Sequence, residues 1–258
     1  LTADEVIVTN GLTQASFSAF MAFLEAGDEC LLLAPYYPQH IGKAELAGAT
    51  VRIAPLDAAN NFSINPALIA PHITPATKAI ALINPCNPTG RVYTREELQG
   101  LADLAQAHDL LVFSDEVYEE ITYDGVQHIS IASLPGMKER TISMFAFTKA
   151  YAMDGWRLGY IAADASLIGP GMKIHTNEVT HVNTFIQHGA LAALSGDAAV
   201  LGGMVERDRL RRDLVVGRLN QMPGVTCAPV EGTIYAFPDI RATGLSAQDC
   251  ADSLLAQT

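Results

Sequence analysis

Basic residues are scarce in this chain. Sixteen Lys and Arg stand against 28 Asp and Glu, a formal net charge of −12 over 258 residues. An acidic chain is a poor counter-ion for phosphate backbones and anionic lipid surfaces, so no nucleic-acid or membrane partner is expected. Long apolar runs are also missing: stretches such as 31–34 and 79–83 fall far short of the roughly 18 residues that span a bilayer. Only four cysteines occur, Cys30, Cys86, Cys227 and Cys250, none in a CxxC pair. Neither a zinc site nor a disulfide framework is expected, and a reducing cytoplasm is the default location. The seven histidines, His40, His72, His108, His128, His175, His181 and His188, show no HExxH or other metal-ligand spacing and read as surface or packing residues. GxGxxG and GxxxxGK[ST] are both absent, which argues against dinucleotide and nucleoside triphosphate cradles. Nothing resembles a signal peptide. The chain starts at Leu1 and its last residues read as a helix without a stop signal, so both ends read as cut.

What is present is apolar and ordered by turns. Hydrophobic residues make up 49% and charged ones 17%, a composition that supports a sizeable core and excludes wholesale disorder. Short aliphatic or β-branched runs at 6–9, 30–34, 51–53, 78–83, 110–114, 141–145 and 160–163 read as buried strands. Helical spacing at 13–26, 38–47 and 96–108 falls between them, the last opened by a capping-box pair, Thr94 and Glu97. Strands alternating with helices predict an α/β domain with a mostly parallel sheet sandwiched by helices. Beyond residue 163 the pattern changes to long helices at 176–194 and 198–221. Two strands at 225–229 and 233–237 and a helix capped by Ser246 follow, the start of a small α+β domain. The expected division is a large domain at 1–195, then an interdomain helix and an incomplete small C-terminal domain at 196–258.

In an open α/β sheet, ligands bind at the carboxyl ends of the strands, so the residues just after each strand are the candidates. Asn10-Gly11-Leu12-Thr13-Gln14-Ala15 is a glycine turn running into a helix, where free N–H groups and the dipole favour a phosphate; a tight turn alone explains it equally well. Pro35-Tyr36-Tyr37-Pro38 offers an aromatic face to a planar ligand, or simple loop packing. Asn84-Pro85-Cys86-Asn87-Pro88-Thr89-Gly90 either aims an Asn amide into a cleft or is an ordinary turn. Asp115, in Ser114-Asp115-Glu116-Val117-Tyr118, either pairs with a cationic ligand group or caps the next helix. Lys149 is one of only five lysines. It follows an apolar strand amid aromatic and small residues, where a desolvated amine is a Schiff-base candidate.

Taken in order, Asn10 to Ala15, Asn87-Pro88-Thr89-Gly90, Asp115-Glu116-Val117-Tyr118 and Lys149 with Arg157 resemble the class I/II aminotransferases, pyridoxal-phosphate enzymes of fold type I. The resemblance covers essentially the whole chain. It implies that Lys149 forms the Schiff base with pyridoxal 5′-phosphate and later shuttles a proton, and that Asp115 pairs with the pyridine nitrogen. It also implies that Tyr118 and Asn87 hydrogen-bond the ring oxygen, that Tyr37 stacks on the ring, and that Arg157 with Gly11, Leu12 and Thr13 holds the phosphate. Ala146 departs from the pattern, since many relatives carry a serine there. The arginine that grips the substrate carboxylate lies past Thr258 in this family.

The expected function is therefore transamination between an α-amino acid and an α-keto acid by a cytoplasmic homodimer. A PLP-dependent lyase, decarboxylase or other carbanion chemistry is the alternative, and a PLP-binding regulatory domain a more distant one.

Overall fold

The computed structural model describes residues 1–257. In chain order the elements are β1 (Val6–Thr9), α1 (Leu12–Phe23), β2 (Glu29–Ala34), α2 (Gln39–Leu46), β3 (Thr50–Pro55), α3 (Pro66–Ile69), β4 (Thr77–Ile83), α4 (Arg95–Ala107), β5 (Leu111–Asp115), β6 (Thr141–Ala146) and β7 (Gly159–Ala163). After them come α5 (Ala165–Val179), α6 (Thr184–Leu194), α7 (Ala198–Leu219), β8 (Thr226–Cys227), β9 (Pro238–Asp239) and α8 (Ala247–Gln257). Seven strands form one sheet in the order β1-β7-β6-β5-β4-β2-β3. Pairing from β3 through β6 is parallel, and β7 runs antiparallel to both its neighbours.

The apolar runs are continuous because both faces of the sheet are covered. Successive residues of one strand enter different cores. Cys30 and Leu32 of β2, with Ala79 and Ala81 of β4, pack with α1 residues such as Phe20. Leu31, Leu33, Ile80 and Leu82 pack on the other face with Leu98, Leu101, Ala102 and Ala105 of α4. Those four α4 positions follow the i, i+3, i+4, i+7 rule that puts an apolar stripe on one side of a helix. The start of α4 is fastened by its capping box: Glu97 N–H donates to Thr94 Oγ1 (3.2 Å) and Thr94 N–H to Glu97 Oε2 (2.8 Å).

The connection from β2 leads outward to β3, whereas β4 lies on the other side of β2 and leads to β5 and β6. The chain thus turns in opposite directions at the β2/β4 boundary, where open α/β sheets leave a crevice at the strand carboxyl ends.

Two expectations need correction. The helix at 176–194 is two helices: α5 begins earlier, capped by Asp164 through Ser166 N–H (3.0 Å), and the chain breaks at 180–183. Thr180 has φ 64°, and Val182 turns inward to join Phe147, Met153, Leu158 and Ala190 in a small core. Gln187 satisfies the freed Val182 carbonyl from its side chain (2.8 Å). Burial of Val182 thus outweighs helical continuity. The strand at 233–237 is not one either. Thr226–Cys227 pairs with Pro238–Asp239, Gly232 makes a single antiparallel bridge to Thr122, and the chain turns at Thr233, which has φ 69°.

Leu101 is fully buried between α4 and the sheet. Leu101→Ala is expected to lower unfolding free energy by about 2–5 kcal/mol in urea denaturation. A cost under about 1 kcal/mol would contradict the packing described.

Candidate functional site

The carboxyl ends of β2, β4, β5 and β6 open onto a cavity of about 210 Å³. Eight of the nine residues singled out from the sequence line it: Leu12, Thr13, Tyr37, Asn87, Asp115, Tyr118, Lys149 and Arg157. Gly11, the ninth, does not line it but stands directly behind Arg157.

One end of the cavity is built for an anion. Gly11 caps α1 with φ 80°, ψ 171°, a conformation nearly confined to glycine, and offers no side-chain cap to the first-turn N–H groups of Leu12 and Thr13. A Cβ on Gly11 would lie 2.8 Å from Arg157 Nη2. The guanidinium is steadied by Asp154, donating from Nη1 to its carbonyl (3.0 Å) with the carboxylate 3.8 Å away. Open helix-terminal amides beside a guanidinium match a phosphate in charge and donor geometry.

At β5, Asp115 is buried. Its Oδ1 accepts from Val117 N–H (3.3 Å), and its Oδ2 lies 3.4 Å from His40 Nε2. A series of turns rather than a helix follows, so Asp115 is not a helix cap. His40 stacks on Phe20, which stacks on Phe113 of β5, so aromatic packing fixes the imidazole beneath the carboxylate. Tyr37 meets His40 edge-on, with centroids 5.5 Å apart. Burial, reinforced by the Asp115 charge, pushes the Tyr37 phenol up. Tyr118 donates to Tyr235 Oη (2.9 Å); burial first, then that hydrogen bond, pushes its phenol well up and keeps it a neutral donor.

Lys149 is half-buried; its carbonyl accepts from Ala152 N–H (3.1 Å), and its side-chain amine makes no hydrogen bond or ion pair among the described residues. With Thr148 it also borders a second cavity, of about 430 Å³, that faces Arg211 and Arg212 of α7. An amine without a partner, a buried carboxylate and an anion cradle around one cavity fit an aldehyde-bearing aromatic phosphate. Ala146 is buried, and Thr148 is the hydroxyl that reaches the cavity wall.

Sequence reasoning missed three residues here. His40, taken for a surface or packing residue, does pack, but it also contacts Asp115. Lys43 lines the cavity one turn further along α2. Helical spacing from Tyr37 would have put both on the buried face. Tyr235 had no signal, because it reaches Tyr118 across 117 residues of chain. Its segment is held on one side by Ile121 and Tyr123, where Thr233 N–H donates to Ile121 O (2.9 Å) and Tyr123 N–H to Glu231 O (2.8 Å), and on the other by residues 90–92. Glu231 and Gly232 N–H both donate to Gly90 O (2.9 Å), and Arg91 bridges Glu97 and Glu231 (2.9 and 3.0 Å).

The family model "Aminotransferase class I and II" matches residues 1–258. The chain is 42% identical over 240 residues to an aspartate aminotransferase of Musicola paradisiaca, covering 93% of this chain and 60% of that protein. It is 41% identical over 254 residues to one of Pyrococcus abyssi, covering 97% and 65%. This chain therefore spans less than two thirds of the length of these curated relatives. Among solved structures, an aromatic aminotransferase from Pyrococcus horikoshii superposes with TM-score 0.94 at 38% identity, over 98% of this chain and 68% of that one. Aspartate aminotransferase from Thermus thermophilus with maleate gives 0.92 at 33%, over 99% and 67%. The chain belongs to the class I and II aminotransferases, a family dependent on pyridoxal phosphate.

Proposed function

We propose that this chain carries the cofactor site of an aminotransferase that moves an amino group between an α-amino acid and an α-keto acid. The observation that carries the reading is the shared cavity: the unpartnered Lys149 amine faces Asp115 and the Gly11–Arg157 cradle across one space. Pyridoxal phosphate, when bound, supplies an aldehyde for amine exchange and a conjugated ring that takes up the electron pair left at the substrate Cα.

The protein's part is to hold and to move protons. Lys149 Nζ is the covalent anchor and, once displaced by substrate, the base that takes the Cα proton and returns it. Asp115, oriented by His40 and Val117 N–H, holds a proton on the ring nitrogen. Asn87 holds the ring oxygen, with the neutral Tyr118 hydroxyl turning its one proton from Tyr235 to that oxygen, and Tyr37 covers one ring face. The N–H groups of Leu12 and Thr13, with Arg157, hold the phosphate.

Residues 1–195 are proposed as the large domain. Residues 196–258 then form a connecting helix and a smaller α+β unit, as the separate β8–β9 pair supports. A homodimer is the proposed assembly, in keeping with the exposed apolar side chains of Val8, Leu191 and Leu194. The four free cysteines are consistent with a reducing cytoplasm as its location.

Borohydride reduction should fix the cofactor to the wild-type protein and not to Lys149→Ala; a retained covalent adduct in that variant removes the assignment. Asp115→Ala should bind the cofactor yet slow the half-reaction with amino acids by about 10³-fold, read by stopped-flow absorbance. Near-normal rates would refute its role. Gly11→Ala should weaken pyridoxal phosphate by roughly 5–100-fold while affecting phosphate-free pyridoxal much less, measured by equilibrium titration. Product analysis after mixing with single amino acids separates the reactions: keto acid alone marks transamination, ammonia marks elimination and carbon dioxide marks decarboxylation.

A further inference from the structure

Lys43 has no place in the roles assigned so far. It lies on the buried face of α2, one turn past His40, with 6% of its surface exposed. Lysines buried this far are almost always paired with a carboxylate, yet Lys43 forms no ion pair among the described residues. Its Nζ donates to Ser16 Oγ of α1 (2.7 Å), a neutral hydroxyl that itself donates to Leu12 O (2.8 Å). The ammonium also stands 5.9 Å from the Tyr37 ring centroid.

The polar surroundings of Lys43 come from four places. α1 faces it with the uncharged Ser16, and α2 adds His40. The end of β5 contributes Asp115, while the β6–β7 connection brings Lys149, Asp154 and Arg157 to the same cavity. The phenols of Tyr37 and Tyr118 are held neutral. Asp115 is the negative group whose attraction opposes the desolvation of Lys43. Desolvation is the larger effect and pulls the Lys43 pKa down to about 8. At pH 7 Lys43 therefore adds a positive charge to a cavity that also holds Arg157 and Lys149, with no carboxylate in contact with its own amine.

We propose that Lys43 is a positioning residue of the cofactor site, whose ammonium works through Asp115 to lower the proton affinity of the nitrogen that joins Lys149 to the cofactor. The inference rests on the function proposed above. The physical reason is twofold. A cation in a low-dielectric cavity opposes a second cation there, and by offsetting part of the Asp115 charge it removes stabilisation that the carboxylate would give a protonated linkage. A linkage that loses its proton more readily at neutral pH changes how fast substrate amine can displace Lys149.

The test is a pH titration of the visible absorption of the holoprotein, which reports protonation of that linkage independently of turnover. Lys43→Gln keeps a donor to Ser16 and removes the charge; it should raise the apparent pKa of the linkage by roughly 0.5–1 unit. Lys43→Met, which keeps the unbranched stem, carries the same expectation should the glutamine variant fail to fold. Lys43→Arg keeps the charge and should titrate close to wild type. An unmoved curve in the charge-removed variant overturns the inference, as does an arginine variant that shifts equally, since packing alone would then be responsible. A wild-type protein with no visible linkage band overturns the proposed function and this inference together. A band that is present but unmoved overturns the inference alone.

Discussion

At Gly159 a Cβ would lie 2.5 Å from the Phe145 carbonyl oxygen and 3.0 Å from both the Gly11 carbonyl carbon and the Leu12 nitrogen, so β7 and the β1–α1 turn meet backbone to backbone. That contact sets where the N-terminus of α1 stands relative to the β6–β7 connection. The connection carries Lys149 and Arg157, so the amine and the anion cradle share one reference. Gly11 repeats the constraint from the other side, with its missing Cβ leaving room for the Arg157 guanidinium. Any side chain at either position would push the cradle away from the amine.

The remaining site is hung on rigid elements. Asp115 ends a strand buried on both faces, and the Phe113–Phe20–His40 stack carries core packing directly to the imidazole beside its carboxylate. Asp115 is buried, so charges near it are screened less than they would be at the surface. The same burial makes Lys43 consequential: on an exposed helix face its ammonium would be screened and would matter little.

A second assembly closes the site from far along the chain. Gly90 O accepts two N–H donors from residues 231 and 232, and Arg91 lies between two carboxylates. A Cβ on Gly90 would come 2.7 Å from Val230. Arg212 of α7 adds a hydrogen bond to Val230 O and lies over the Tyr123 ring. These contacts, together with the antiparallel bridge between Thr122 and Gly232, place Tyr235 against Tyr118.

The sequence by itself determined the elements that local physics decides. Seven apolar runs became the seven strands, because a doubly covered parallel sheet needs such runs, and Thr94 and Glu97 marked the start of α4, because a capping box works within four residues. The motif residues were legible for a related reason: most lie at or just past the carboxyl end of a strand, whereas Arg157 stands just before β7. Tertiary structure alone decided the break that buries Val182, the bend that turns 233–237 into a clasp, and the company Asp115 keeps in His40 and Lys43. Those outcomes depend on burial and on contacts between residues distant in sequence. Period and turn chemistry describe only a residue's near neighbours along the chain, so they hold no record of what it meets across the fold.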